Sequence, residues 1–170
     1  ELMSFSHIDK LINAFKKIHK ENIEINIDVN DIYENYIGKL KSRFKSDEDY
    51  PFANKYDFLN KIEPIIQDYL FSDTFKIAGF VHGDPWFSNT MLDVNSNIKF
   101  LDMKGDINGK LTTNGDPLTD YCKIMQSLYG FDYIVSDLEI NENYLSDLRE
   151  YYQNELESIG YSLTTIKAIT

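Results

Sequence analysis

Between residues 77 and 101 the chain abandons the helical spacing of its two flanks, and that interruption constrains the fold more than any other feature. Apolar residues there come in short runs separated by Gly, Asp and Asn, a texture that suits strands and turns rather than helix. Upstream, Ile8, Leu11, Ile12, Phe15 and Ile18 recur at helical intervals after Ser6 and Asp9, so a first amphipathic helix is expected over about 6 to 20, with a capping-box-like start. Asn30 or Asp31 can cap a second helix with Tyr33, Ile37, Leu40 and Phe44 on one stripe. A polar loop follows through Ser46-Asp47-Glu48-Asp49. A third helical pattern, Asn54 to Leu70, carries Phe58, Leu59, Ile62, Ile66 and Tyr69; Pro64 lacks the amide proton an interior position needs, which predicts a kink or break there.

Downstream, Asp116-Pro117 offers a helix start, with Tyr121, Ile124, Met125 and Leu128 along one face and Gly130 as the stop. A last long helix is expected over about 142 to 159, with Tyr144, Leu145, Leu148, Tyr152 and Leu156, ending near Gly160. Residues 162 to 170 read as a helix cut short, and with Glu1 at the start the chain is expected to be a piece of something longer. These patterns define an α+β chain, mostly helical, with one small β-hairpin. At 170 residues it is sized for a single domain that buries roughly 70% of its unfolded surface.

The hairpin is where candidate chemistry gathers. Thr90 to Asp93 and Ile98 to Leu101 flank Val94-Asn95-Ser96-Asn97, a four-residue turn. If Asp93 faces Ile98, antiparallel pairing makes Asn89 face Asp102 at the open end, with Cβ atoms about 5 Å apart. An amide oxygen and a carboxylate so placed would hold one hard cation, which predicts a magnesium site of Asn89 and Asp102. Asp84, in a loop entered from a short apolar strand, can hang over that site as a base. A base beside a metal-bound phosphate is what hydroxyl phosphorylation requires.

His82-Gly83-Asp84-Pro85-Trp86-Phe87-Ser88-Asn89, with Asp102 thirteen residues after Asn89, resembles the catalytic loop and metal-binding Asp of aminoglycoside phosphotransferases and choline kinases and, more distantly, protein kinases. Gly115-Asp116-Pro117-Leu118-Thr119-Asp120 is similar to the element that opens a buried helix in the same group. The resemblance implies a protein-kinase-like C-terminal lobe spanning 1 to 170. Asp84 would be the base, Asn89 and Asp102 would hold Mg2+, and Asp120 would brace the loop from below. Lys104-Gly105 after the metal Asp, in a long segment before Gly115, is most similar to phosphotransferases found with bacterial surface-polysaccharide genes.

No Gly-x-Gly-x-x-Gly or Gly-x-x-x-x-Gly-Lys pattern occurs, so the N-terminal lobe that grips ATP or GTP is not represented in this chain. The expected function is therefore part of a kinase that transfers a γ-phosphoryl group to a hydroxyl of a small molecule, a sugar, aminoglycoside or amino alcohol, with the chain alone inefficient. A non-catalytic pseudokinase-like binding module is the alternative, and a metal-dependent phosphate hydrolase a further rival.

His7, His19 and His82 show no paired metal-binding spacing, which favours packing of the catalytic loop as the role of His82. Trp86 is balanced between shaping the acceptor pocket and filling the core, whereas Phe87 reads as core. Between Phe131 and Leu148 stand Asp132, Asp137, Glu139, Glu142 and Asp147 with no Lys or Arg, which makes a cationic acceptor conceivable, although a solvated face is the commoner reason for such a run.

Overall, 28 acidic against 17 basic residues give a net charge of -11, a field that repels nucleic acid and anionic membrane alike. The lone Cys122 excludes an internal disulfide and reads as a buried thiol. No apolar stretch approaches a membrane span, and a cytoplasmic location is expected.

Overall fold

The computed structural model describes residues 3–45, 51 and 53–170; the acidic stretch Ser46-Asp47-Glu48-Asp49 lies outside them. The chain is α+β and mostly helical, with two small antiparallel hairpins. Helix α1 (Phe5–Ile18) buries Ile8, Leu11, Ile12 and Phe15. Its N-cap is Ser4 rather than Ser6, and the Ser4 N–H donates to His7 Nδ1 at 3.1 Å. Phe15 stacks on Phe100 with ring centres 4.9 Å apart and meets Tyr121 edge-on at 5.3 Å, so one side chain pins a hairpin and a later helix to α1.

Asp28, not Asn30 or Asp31, caps the second helix by accepting from the N–H groups of Asn30 and Asp31. That helix runs as α2 (Val29–Tyr33), a π-helical turn (Glu34–Gly38) and α3 (Lys39–Arg43). The wider π turn spaces its buried residues five apart, Ile32 to Ile37, so Ile32 enters the core fully while Tyr33 packs against it half-buried. Of the kink or break expected at Pro64, the break does not occur: helix α4 (Lys55–Leu70) runs through the proline. Leu59 on one side of the proline and Ile66, Tyr69 and Leu70 on the other are all buried, so packing compensates for the one backbone bond that Pro64 cannot make.

Residues 77 to 86 form no strand of a sheet, contrary to the short apolar strand expected before Asp84. They run extended past Gly115, tied by Ala78 and Gly115 in one isolated bridge and by Val81 N–H to Thr113 O at 2.8 Å. A 3-10 turn (Phe87–Asn89) leads into the first hairpin, β1 (Thr90–Leu92) with β2 (Ile98–Phe100). Its register is one residue from expectation: Thr90 pairs with Phe100 and Leu92 with Ile98. The turn closes earlier because Ser96 adopts left-handed φ 57° and the Asp93 N–H bonds Asn97 O at 2.9 Å, leaving a three-residue loop. The second hairpin, β3 (Asp106–Ile107) with β4 (Lys110–Leu111), turns on Asn108-Gly109, both left-handed.

Helix α5 (Pro117–Leu128) is the axis of the core, with Leu118, Asp120, Tyr121, Cys122, Ile124, Met125, Ser127 and Leu128 all buried. Around it stand α1, the short α6 (Phe131–Val135), α7 (Glu142–Ser158) and α8 (Leu163–Ile169), the last also packing on α4. Truncating a side chain as enclosed as Ile124 would cost about 2–5 kcal/mol. Among the described residues no helix is long and apolar enough to cross a membrane.

Candidate functional site

Helix α5 places the loop at 82 to 84 from below. Asp120, in its first turn, is fully buried, and its carboxylate receives three hydrogen bonds: Oδ2 from the His82 N–H at 2.9 Å and from His19 Nε2 at 2.9 Å, Oδ1 from the Gly83 N–H at 2.7 Å. Hydrogen bonds to an ionised acceptor are roughly twice as strong as neutral ones, so this anchor fixes backbone where the loop turns. Gly83 is needed at the turn: its φ is 82°, and an added Cβ would come within 3.0 Å of Lys104 Cβ.

His82 ties the loop to the hairpin. The residue is 3% exposed, Nε2–H donates to the Leu101 carbonyl at 2.7 Å, and Nδ1 accepts the Asp84 N–H at 3.2 Å. The His82 carbonyl accepts from the Lys104 N–H at 2.9 Å, so the chain on either side of Asp102 is held to this one residue. A carbonyl on one ring nitrogen and an N–H on the other define a neutral imidazole with the proton on Nε2.

Asn89 donates from Nδ2 to the Asp84 carbonyl at 2.9 Å, which leaves its amide oxygen outside the loop's bonding. Its own carbonyl accepts from the Leu101 N–H at 2.9 Å, so Asn89 faces Leu101 and not Asp102. The facing pair expected from sequence is therefore corrected. Asp102 lies one residue further on, where left-handed φ 52° ends the pleat, so strand alternation does not set its direction. Its exposed carboxylate makes no hydrogen bond or ion pair with any described residue.

Asp84 is steadied from α5 as well. Lys123 Nζ lies 3.1 Å from Asp84 Oδ1 and 3.9 Å from the centre of the Trp86 ring, which stacks on Phe131 at 4.2 Å. Trp86 therefore carries the lysine that meets Asp84 and does not border the neighbouring cavity. The Ser88 N–H donates to Asp132 Oδ1 and the Phe87 N–H to Ser127 Oγ, each at 3.2 Å, which fastens the far side of the loop to α5 and α6.

The cavity, about 550 Å³, opens beside Asp84 and His82 and is walled by the π turn, α3, α4, α5, α8 and the segment after Asp102. Asp84 borders it; Asn89 and Asp102 do not. On its wall, Asp116 caps α5 and accepts from Tyr36 and Tyr69 hydroxyls at 2.8 Å each and from the Leu118 N–H at 2.9 Å. Burial pushes its carboxyl up to about 6, against the lowering effect of those bonds. Burial likewise raises the Cys122 thiol far above the usual thiol range, leaving it inert as a nucleophile.

Sequence reasoning gave His19, Lys123 and Asp132 no part in holding the loop. Lys123 was within reach: it follows Asp120 by one helical turn, so any helix aiming Asp120 at the loop aims Lys123 there too. His19 and Asp132 reach the loop through tertiary packing, for which no local signal exists. Among the described residues no group of three or more His, Cys, Asp or Glu side chains is placed to hold a metal ion.

No protein-family model, curated protein or solved structure matches this chain.

Proposed function

We propose that this chain is the catalytic and acceptor-binding part of a small-molecule kinase, similar to the C-terminal lobe of the aminoglycoside phosphotransferase and choline kinase group. The observation that carries the reading is the bonding around His82. One neutral imidazole joins the Asp84 backbone to Leu101, next to Asp102, while the Asn89 amide is bonded to the Asp84 carbonyl. Asp84 and Asn89 are thus bonded to one another and, through His82, to the chain beside Asp102, and each of the three keeps an oxygen available for other chemistry.

In this reading Asp84 accepts the proton of an attacking hydroxyl, and Lys123 steadies its carboxylate from one side. The Asn89 amide oxygen and the Asp102 carboxylate are hard oxygen donors of the kind that suits Mg2+, which takes one or two protein oxygens together with substrate phosphates. Bound there, Mg2+ would offset negative charge on the transferred phosphoryl group. The nucleotide, ATP or GTP, would be gripped mainly by an N-terminal lobe outside this chain, since no glycine-rich phosphate loop occurs in it.

The test is phosphoryl transfer from labelled ATP by the full-length protein, with and without an added alcohol acceptor, for wild type and Asp84→Asn. Turnover should depend on the acceptor and fall by roughly 10²–10⁴ in the variant. ATP loss independent of acceptor would identify a hydrolase, and unchanged turnover in Asp84→Asn would remove Asp84 as the base. Acceptor binding with no transfer at all would favour a non-catalytic binding module.

A further inference from the structure

The acidic run from Asp132 to Asp147 contributes no residue to the cavity beside Asp84. Four cationic side chains line it instead: Lys39 and Arg43 of α3, Lys104 of the segment after Asp102, and Lys123 of α5. Three acids share the wall, and two are engaged. Asp84 meets Lys123, and Asp116 is enclosed by Tyr36 and Tyr69. The third, Asp106, accepts from the Gly109 N–H at 3.2 Å.

Lys39, Arg43 and Lys104 have no carboxylate within ion-pair distance among the described residues, and Lys104 only donates to Asn35 Oδ1 at 3.3 Å. Partial burial, with the charges of Lys104, Arg43 and Lys123 nearby, holds the Lys39 ammonium below the usual lysine range. In a chain of net charge -11, three cations gathered from two separate segments with no ion-paired carboxylate repel one another, and Asp106 on the same wall offsets this only in part, since the Lys39 ammonium is still held low. An anion in the cavity would relieve that repulsion.

We infer that the cavity binds a small hydroxylated molecule bearing a carboxylate or phosphate group, held by Lys39, Arg43 and Lys104 with a hydroxyl toward Asp84. This rests on the phosphotransfer reading and narrows its acceptor from sugars and amines in general to anionic ones. The nucleotide's own phosphates are a poorer fit to these cations. They would have to reach Asn89 and Asp102, and neither residue borders the cavity.

The experiment is equilibrium binding to the full-length protein of glucose 6-phosphate, glucuronate, glucose and choline, with and without saturating Mg-ATP. It is repeated for Lys39→Gln, Arg43→Gln and Lys104→Gln. At least one anionic sugar should bind, glucose and choline should bind at least tenfold more weakly, and each variant should weaken the anionic sugar by roughly tenfold. Raising the salt should weaken binding in the unmodified protein, a readout that needs no variant to fold.

Which anionic sugar binds tells a phosphate from a carboxylate. Equal affinity for glucose or choline, unaltered binding in all three variants, or competitive displacement by Mg-ATP would overturn the inference even if the protein proves to be a kinase. If the anionic sugar binds as described and no phosphate is transferred to it, the anion site stands and the phosphotransfer reading falls.

Discussion

Beneath the loop at 82 to 84, Asp120 is fully buried and its two oxygens receive three hydrogen bonds; at the mouth of the hairpin, Asp102 is exposed and receives none from any described residue. The same residue type serves opposite ends. A buried carboxylate is tolerated only when its lone pairs are filled, and here those bonds set the backbone of His82 and Gly83. An open carboxylate adds little to the fold but keeps its oxygens for a ligand. The contrast implies that stability and chemistry can be separated residue by residue across this loop.

The largest effect should come from the buried side. Asp120→Ala leaves the N–H groups of His82 and Gly83 without acceptors inside the core, at about 1–3 kcal/mol each, and also frees His19. Chemical denaturation should show a loss of about 3 kcal/mol or more, with Asp120→Asn milder because its amide oxygen still accepts. A loss under about 1 kcal/mol in Asp120→Ala would mean that the loop is ordered by something else.

A second buried carboxylate sharpens the comparison through pH. Asp116 has its carboxyl raised from 3.8 to about 6, so the folded protein holds that proton more tightly than the unfolded chain does. The associated stability is present below about pH 4 and is lost as pH rises through about 6. At about 1.4 kcal/mol per unit the loss is at most on the order of 3 kcal/mol. Asp116→Asn lacks this titration, so wild type should lose stability relative to the variant between pH 4 and pH 7, as measured by paired urea curves. Parallel behaviour of the two across that range would refute the raised value.

How much of this was legible in the chain depends on whether the cause is local. The stripe of α1 and the Asp116-Pro117 start of α5 follow from nearby residues, and their sequence neighbourhoods carry them. The hairpin register was missed by one because a turn rich in Asn and Ser closes equally well with three or four residues. Asp93 Oδ1 accepts from the N–H groups of both Asn95 and Asn97, and that choice favours three. Asn108-Gly109 between Ile107 and Lys110 is itself a two-residue hairpin signal, and the second hairpin turns on it. The π turn in the second helix obeys no 3.6-residue period, and the gathering of Lys39 and Arg43 with Lys104 exists only after α3 has folded against the segment that follows Asp102.

The smallest predicted effect tests the open side of the comparison at Asp102. Its backbone is left-handed, φ 52°, a conformation that costs an L residue roughly 1 kcal/mol, though Asp tolerates it better than most. Asp102→Gly and Asp102→Ala both delete the carboxylate and differ only in the Cβ, so their difference isolates the backbone. If the fold imposes the left-handed turn, the Gly variant should be more stable than the Ala variant by about 1 kcal/mol in urea denaturation and close to wild type. Both should lose Mg2+ affinity to the same degree if the carboxylate is a ligand. Equal stability of the two variants would show that the hairpin does not force the turn. Its persistence in the native protein would then have to come from what Asp102 binds rather than from how the chain packs.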